Sequence, residues 1–521
     1  MTHYYLAIDA GTGSGRAVIF DENGSQVGVG QREWTHQAED GVPGSMGFDC
    51  AQNWDLLCDC IKIAMTSAGI RAGEIAAISS TSMREAIVLY DDRGREIWAC
   101  ANVDGRAADQ VAALKAREAG LERQCYDLSG QTFALGAWPR LEWARQNRPE
   151  LWDRVAKLSM INDWIAFRLS GEITAEPSNA GTSGLMDLAT REWSDSLIAT
   201  ADLPRSLFPP VVASGELVGK LTAKAAAETG LAEGTPVVAG GGDVQMGSVG
   251  VGVTDPGKAA IFGGSFWQQV VNLPEGRTDP DMLIRVNPHA VAPFAQAECI
   301  SFFVGLTMRW FRDAFCEPQV AEAERRGIDP YQVLEEQAAR VPAGSNGIIP
   351  IFSDAMNFAA WYHAAPSFLN MSIEPGHTTP ASLFRALEEN AAIVSAENLR
   401  RVIAFSDTDF GDVVTFAGGA SKGPLWSQIV ADVLQRDIAI PVVREATALG
   451  CAAAAAVGSG KFSDLQEAGK SFARIERVVK PNRDHAALYE DATERWRSAY
   501  AAQRDLVDNG VTAPMWKAPG L

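Results

Sequence analysis

The sequence predicts an α/β protein made of two related halves that share a cleft. Three observations predict it. Helix-like and strand-like stretches alternate along the chain, the pattern of α/β domains. A tight Gly/Ser/Thr hairpin beside an aspartate occurs near the start, and a related one recurs past the middle. At 521 residues the chain exceeds one ordinary domain. No Pro/Ser-rich linker or low-complexity tract separates the halves. The boundary is expected near 245–255, giving units 1–247 and 248–521.

The chain opens as a β-meander. Residues 4–9 read as a strand, Asp9 to Gly15 as a turn, and Arg16 to Phe20 as a second strand. Asn23-Gly24 is a hairpin signal, and Ser25 to Gly30 continues as a third strand. Asn53 to Ser67 reads as a helix; Ile75 to Ser80 and Ala86 to Tyr90 read as strands. In the second half Thr235 to Ala239 is a strand, Gly240 to Asp243 a turn, and a short helix follows. Lys258 to Phe262 and Phe266 to Val271 are strands joined by Gly263-Gly264-Ser265. Phe416-Ala417 leads through Gly418-Gly419-Ala420 into a helix with Leu425, Ile429 and Val433 on its apolar face. His485 to Asp508 reads as a polar amphipathic helix.

Charge excludes some function classes. There are 45 Lys plus Arg against 65 Asp plus Glu, a formal net charge of -20. Such a surface repels phosphate backbones and anionic lipid, so no nucleic-acid or membrane partner is expected. The eight cysteines include no CxxC pair and read as reduced thiols of a cytoplasmic protein. The six histidines show no metal-ligand spacing; His289 and His363 have apolar neighbours. The N-terminus runs straight into a strand, so no signal peptide is expected. The run Cys451 to Val457 is too short to span a bilayer.

Gly11-Thr12-Gly13-Ser14-Gly15 is not a dinucleotide fingerprint, because strand formers follow it rather than a helix. It reads as a hairpin tip with free N–H groups, two hydroxyls and the cation Arg16. That combination suits polyphosphate. Asp9, at the strand end, can hold magnesium directly or through water. Gly252 to Lys258 approaches a P-loop but lacks its final Ser/Thr and enters a strand, so it reads as an Asp-Pro-Gly turn. Asp243 reads as a helix N-cap, a carboxylate on a cleft floor, or both. Arg84-Glu85 and Asp104-Arg106 read as surface ion pairs or as partners for substrate hydroxyls.

In this order the motifs resemble the FGGY carbohydrate kinases over essentially the whole chain. Asp9 to Arg16 is similar to the first phosphate motif, and Gly263-Gly264-Ser265 to the second. Gly241-Gly242-Asp243 is similar to the segment with the catalytic base, and Gly418 to Asp432, with Glu445 to Gly450, to the adenosine region. Met83-Arg84-Glu85 resembles the substrate motif of glycerol kinases, and Asp104-Gly105-Arg106 that of pentulose kinases. The autoinducer-2 branch is the nearest resemblance. It is carried by Val42 to Met46, Ser82 to Glu85, Ile97 to Asp104, Ser301 to Trp310 and Trp516 to Leu521. Gly13 and Gly264 stand where many members have Thr, Arg140 where Lys is usual, and Asn102-Val103 where Trp-Asn is usual.

The resemblance implies two actin-like (ribonuclease H-like) ATPase domains flanking a central cleft. It implies an ATP- and magnesium-dependent kinase, a monomer or homodimer, that phosphorylates the primary C5 hydroxyl of linear 4,5-dihydroxypentane-2,3-dione. The alternative acceptor is xylulose, ribulose or glycerol. Asp243 is then the base and Asp9 the metal residue. Arg84, Glu85, Asp104, Phe133 and Gln245 face the substrate, with Phe133, Ala134, Phe266 and Trp267 as apolar wall. Thr12, Gly13, Ser14, Arg16, Gly263, Gly264, Ser265, Gly418, Gly419 and Ala420 bind the nucleotide. An actin-like ATPase without acceptor, of the chaperone type, is the reading from another class; its ATP turnover would be indifferent to polyols.

Overall fold

The computed structural model describes residues 3–408, 410–443 and 445–520. Leu521, the last residue of the C-terminal motif, lies outside the described residues, as do Met1 and Thr2 of the opening segment. Two large sheets dominate. The first contains β1 (Tyr4–Ala10), β2 (Ser14–Phe20), β3 (Gln26–Glu33), β4 (Ile75–Ser82) and β5 (Pro236–Gly242). Its order is Leu217–Lys220, β5, β4, β1, β2, β3. The second contains β6 (Ala259–Gly263), β7 (Trp267–Leu273), β8 (Ala295–Ser301), β9 (Val413–Ala417) and β10 (Asp437–Pro441). Its order is Arg285–Pro288, β8, β7, β6, β9, β10, Ile475–Val479.

The two sheets repeat one plan. In the first, β3–β2–β1 pair antiparallel, and β1–β4 and β4–β5 pair parallel. In the second, β8–β7–β6 pair antiparallel, and β6–β9 and β9–β10 pair parallel. The duplication expected from the two hairpins is therefore a duplication of whole sheets.

Four helices position the site: α1 (Cys50–Ala68), α2 (Asp243–Gly250), α3 (Pro424–Leu434) and α4 (Ala446–Gly458). The Asp49 carboxylate accepts the Gln52 N–H to start α1, and Gly69, at φ 66°, ends it. α1 lies against β3 so closely that a Cβ on Gly30 would sit 2.1 Å from the Cys60 carbonyl oxygen. Only glycine permits that approach.

α4 contains both the Ala446 to Gly450 stretch likened to the adenosine region and the alanine-rich run Cys451 to Val457. It lies in the chain between β10 and the last strand of the second sheet, yet it packs on β1, β4 and β5 of the first. It also crosses α2 at backbone distance. A Cβ on Gly450 would meet the Met246 carbonyl oxygen at 1.9 Å, and one on Gly250 the Ala446 carbonyl oxygen at 1.9 Å. Small side chains here join the two halves through two crossed helices. Among the described residues no helix is long and apolar enough to cross a membrane.

One expectation needs correction. Gly240 to Gly242 are not a turn; they finish β5, and α2 begins at Asp243. The three glycines serve packing: a Cβ on Gly240 would be 1.8 Å from the Ser80 carbonyl oxygen, and one on Gly241 2.5 Å from Ser178 Oγ. The strand Ile87–Tyr90 joins a separate three-stranded sheet with Glu96–Cys100 and Lys157–Met160. In α3 the buried apolar residues are Trp426, Ile429, Val430 and Ala431, while Leu425 and Val433 are half-buried. The C-terminal helix spans Ala486–Asp508, as expected.

His363 is buried among Phe302, Trp361 and Trp516, and neither ring nitrogen has a hydrogen-bond partner. Burial, with Arg504 adding to it, pushes its pKa down to about 3. The unfolded chain therefore takes up this proton first. Its contribution to stability is lost as pH falls from about 6.5 toward 3, by up to about 1.4 kcal/mol per pH unit. Chemical denaturation of wild type and His363→Leu between pH 7.5 and 5 is expected to show a steeper acid loss in wild type. Parallel profiles would remove His363 from the pH response.

Candidate functional site

The first hairpin puts Asp9 of β1 opposite Arg16 of β2. The Gly11 N–H donates to the Ser14 carbonyl at 3.0 Å and closes the turn. The Trp34 indole N–H donates to the carbonyls of Gly11 and Thr12, which pins the tip from behind. Thr12 and Gly13 are exposed, and Ser14 is half-buried. Thr12 Oγ1 exchanges hydrogen bonds with the Asn102 side chain. Arg16 Nη1 reaches Glu445 Oε2 at 2.9 Å, just before α4. Burial pushes the Asp9 carboxyl up; Arg16 opposes this, and Asp243 and Glu445 add to it, leaving the pKa at about 7.

The second hairpin connects β6 to β7. Gly264 and Ser265 are exposed, and Gly418 and Gly419 beyond the adjacent β9 are exposed as well. A Cβ on Gly418, at φ 97°, would meet the Gly263 carbonyl oxygen at 2.7 Å, and one on Gly263 would lie 2.8 Å from the Ala420 Cβ. The parallel pairing of β6 with β9 thus brings Gly263, Gly418 and Ala420 into contact, although they are far apart in sequence.

Asp243 opens α2, with 38% of its side chain exposed. Its Oδ1 accepts the Val244 N–H at 2.8 Å and lies 3.1 Å from Arg84 Nε. Burial raises its pKa; Arg84 opposes the rise, and Glu85 and Glu298 add to it. A carboxylate tuned upward yet oriented by a cation suits proton acceptance.

Arg84 has two further bonds. Its Nη1 and Nη2 form a buried fork on Glu298, a residue of β8 with no exposure. Burial opposes ionisation of Glu298, but Arg84 and Arg285 hold its carboxyl below the ordinary range. Arg285 Nη1 lies 2.5 Å from Glu85 Oε1, and its Nε donates to Gln131 Oε1 at 2.8 Å. The Gln131 amide donates to Asn287 Oδ1, and the Asn287 amide donates to Glu298 Oε2. These contacts close a buried ring: Arg84, Glu298, Asn287, Gln131, Arg285, Glu85. Glu298, Asn287 and Arg285 come from the second sheet, and the other three precede β5.

Sequence reasoning missed Glu298, Arg285, Asn287 and Gln131. A signal was available for the paired strands. Arg285 and Asn287 are two apart, as are Gln296 and Glu298, and the register pairs Arg285 with Glu298 and Asn287 with Gln296. Period-two polarity on a pair of strands marks a polar inner face.

The remaining predicted residues fall into two groups. Gln245 is fully buried beside Arg84, and neither amide atom has a hydrogen-bond partner. Asp104 is turned inward; its carboxylate accepts the Met46 N–H at 2.5 Å and bonds Arg106. The Arg106 guanidinium lies 5.1 Å and 4.8 Å from the Trp98 and Trp143 rings. Phe133 is buried edge-on against Trp138. Trp267 is core, packed on Phe416 and Trp426. Ala134 and Phe266 are half-buried, and the Phe266 ring meets Phe302, on which Trp516 stacks.

The profile of the FGGY family of carbohydrate kinases, N-terminal domain, matches residues 4–250, and that of the C-terminal domain matches residues 276–459. The chain is 55% identical over 520 residues to the "Autoinducer-2 kinase" of Salmonella paratyphi B, covering 100% of this chain and 98% of that protein. It is 55% identical over 519 residues to the protein of the same name from Klebsiella pneumoniae, covering 99% and 97%. Xylulose kinase from Rhodospirillum rubrum superposes with a TM-score of 0.85 at 25% identity, covering 97% of this chain and 99% of that one. Plasmodium falciparum glycerol kinase with ADP superposes with a TM-score of 0.82 at 18% identity, covering 96% and 98%. The two sheets of this chain are the two actin-like domains of that fold. The chain belongs to the FGGY family of carbohydrate kinases.

Proposed function

We propose that this kinase transfers the γ-phosphoryl group of ATP to the primary C5 hydroxyl of linear 4,5-dihydroxypentane-2,3-dione, the open form of autoinducer-2. The observation that carries the reading is the state of the polar groups around Asp243. Asp243 is the partly exposed carboxylate, while the Arg84 fork is already bound to Glu298 and Glu85 to Arg285. A pentulose brings more hydroxyls, and each needs a partner on burial. A pocket whose arginine fork is spoken for suits an acceptor with two hydroxyls. The full-length relatives named for this substrate support the same reading. A pentulose or polyol remains the alternative acceptor.

In this reading Asp243 takes the proton of the attacking hydroxyl, and Arg84 Nε fixes the carboxylate for it. The rest of the work is positioning and charge neutralisation. Thr12, Gly13, Ser14 and Arg16 hold phosphate from one half, and Gly263, Gly264 and Ser265 from the other. Gly418, Gly419 and Ala420 receive the adenosine. Arg84 and Glu85 line the acceptor site from their paired positions and Gln245 offers it an unpartnered amide, while Asp104 and Phe133 shape the wall behind it through their buried contacts.

Magnesium fits the phosphate end. Among the described residues no group of three or more His, Cys, Asp or Glu is placed to hold a metal by itself. Magnesium is usually held by one or two carboxylates with phosphate oxygens and waters, and Asp9, crowded by Asp243 and Glu445, is a carboxylate of that kind. Bound with ATP, the ion neutralises phosphate charge. We further assign the division 1–247 and 248–521, a cytoplasmic location, a monomeric or homodimeric state, and no nucleic-acid or membrane partner, in keeping with the net charge of -20.

A coupled assay of ADP release tests the proposal. The kcat/KM for the dione is expected to exceed those for xylulose, ribulose and glycerol. A preference for any of the last three would overturn the dione assignment and leave the kinase standing. ATP turnover indifferent to every acceptor would point to the chaperone-type reading.

A further inference from the structure

We infer that Arg140 is a positioning residue that sets the acceptor site and couples it to the phosphate hairpin. The inference rests on the acceptor site lying at Arg84 and Glu85. Three observations carry it.

The first is strain. Glu85 has φ 64°, in the left-handed region that a non-glycine residue occupies only under strain. Such a conformation persists only where its surroundings over-determine it. Glu85 is held at three points. Its N–H donates to Thr182 Oγ1 at 3.2 Å, its carboxylate meets Arg285, and its carbonyl accepts from Arg140 Nη1. The Arg140 bond fixes the peptide that leaves the strained residue, and with it the direction of the carboxylate.

The second is the reach of one guanidinium. Arg140 Nη2 donates to the carbonyls of Asn102 at 2.9 Å and Asp104 at 3.0 Å. Two segments well separated in sequence, Met83 to Glu85 and Asn102 to Asp104, are therefore fastened to one planar group. Arg140 is buried, and among the described residues no carboxylate lies within ion-pair distance of it. Its charge rests on three backbone carbonyls, all from these segments. A buried arginine placed this way is committed to geometry rather than to an ion pair. The planar fork suits it, since a lysine ammonium offers point donors in no fixed plane.

The third is where Asn102 goes next. Its side chain exchanges hydrogen bonds with Thr12 Oγ1, at 3.1 and 3.3 Å, on the tip of the first phosphate hairpin. A continuous path runs from the Glu85 carbonyl through Arg140 to the Asn102 backbone, and from the Asn102 amide to Thr12. Arg140 thus fixes the acceptor carboxylate directly and touches the phosphate tip only through Asn102, so its loss falls on the acceptor and on the coupling rather than on nucleotide binding alone. The path predicts that acceptor and nucleotide bind more tightly together than apart, with Arg140 carrying the coupling.

The test uses the full-length protein with Arg140→Lys and Arg140→Met, and the acceptor that wild type turns over best. Acceptor KM, ATP KM, kcat, thermal melting and acceptor affinity with and without a non-hydrolysable ATP analogue are measured. Arg140→Lys is expected to raise acceptor KM about tenfold, the loss of a charge-assisted hydrogen bond or two. Its melting temperature and binary ATP affinity should stay near wild type, and the analogue should no longer tighten acceptor binding. Arg140→Met should go further in the same direction. A purely structural role would lower the melting temperature and weaken acceptor and nucleotide alike. That result in Arg140→Lys, or a Lys variant with unchanged acceptor KM and intact coupling, would overturn the inference even if Arg140→Met fails to fold. The wild-type acceptor preference is read separately, so a wrong dione assignment leaves this result interpretable.

Discussion

Asp243→Asn is expected to lower kcat about 100- to 10,000-fold, the usual contribution of a general base, or about 3–5 kcal/mol of barrier. The substitution keeps the shape of the side chain and an oxygen for Arg84 Nε and the Val244 N–H, the two groups that orient Asp243. It removes the site that takes up the proton. ATP affinity should therefore survive, because the groups proposed to bind the nucleotide lie on the two hairpins and beyond β9. The pH profile gives a second reading. The Asp243 carboxyl titrates above the ordinary carboxylate range, so wild-type kcat/KM should fall on the acid side as Asp243 takes up a proton. The Asn variant should lack that limb. Near-wild-type kcat in Asp243→Asn would remove Asp243 from proton transfer.

Arg84→Met is expected to cost stability as well as activity. Glu298 has no exposure, and Arg84 supplies its bidentate partner. Removing one member of a buried pair leaves an uncompensated charge and typically costs on the order of 3–5 kcal/mol. Arg285 and Asn287 still face Glu298, which places the expected loss at the lower end of that range. The companion variant Arg84→Met/Glu298→Met removes both charges and should recover most of the loss, since a well-packed apolar replacement is often neutral. Neither variant should turn over acceptor normally. Equilibrium denaturation of the three proteins decides it. A single variant as stable as wild type, or a double variant no better than the single, would show that the Arg84–Glu298 pair does not hold the two sheets together.

The residues that carried the fold in the sequence were those with strong local grammar. Tyr4 to Phe20 reads as two strands around a glycine turn, and Asn23-Gly24 signals the next hairpin; all three strands are present. The failures came where tertiary contact overrode local rules. Gly240-Gly241-Gly242 reads as a turn by composition, but its glycines are there because Ser80 and Ser178 approach the strand. Trp267 looks like a cleft aromatic beside its motif, but it is core, packed on Phe416 and Trp426.

The site was legible in part. Asp9, Asp243, Arg84, Glu85 and the three glycine turns could be singled out because each sits where a strand ends. Asp104 could be singled out too, but not the fact that Arg106 and the Met46 N–H occupy its carboxylate. Glu298 and Arg285 lie about 200 residues from Arg84 and Glu85 in the chain. No local pattern links residues so far apart; only the packing of one half on the other does.

Product analysis tests the central claim most directly. The purified protein is incubated with magnesium, ATP and the linear dione, and the phosphorus-31 and proton NMR spectra of the products are recorded. The account predicts one phosphomonoester, with phosphorus coupled to the two protons of the C5 methylene, formed in step with ADP. Inorganic phosphate released in step with ADP, with the dione unchanged, would contradict it.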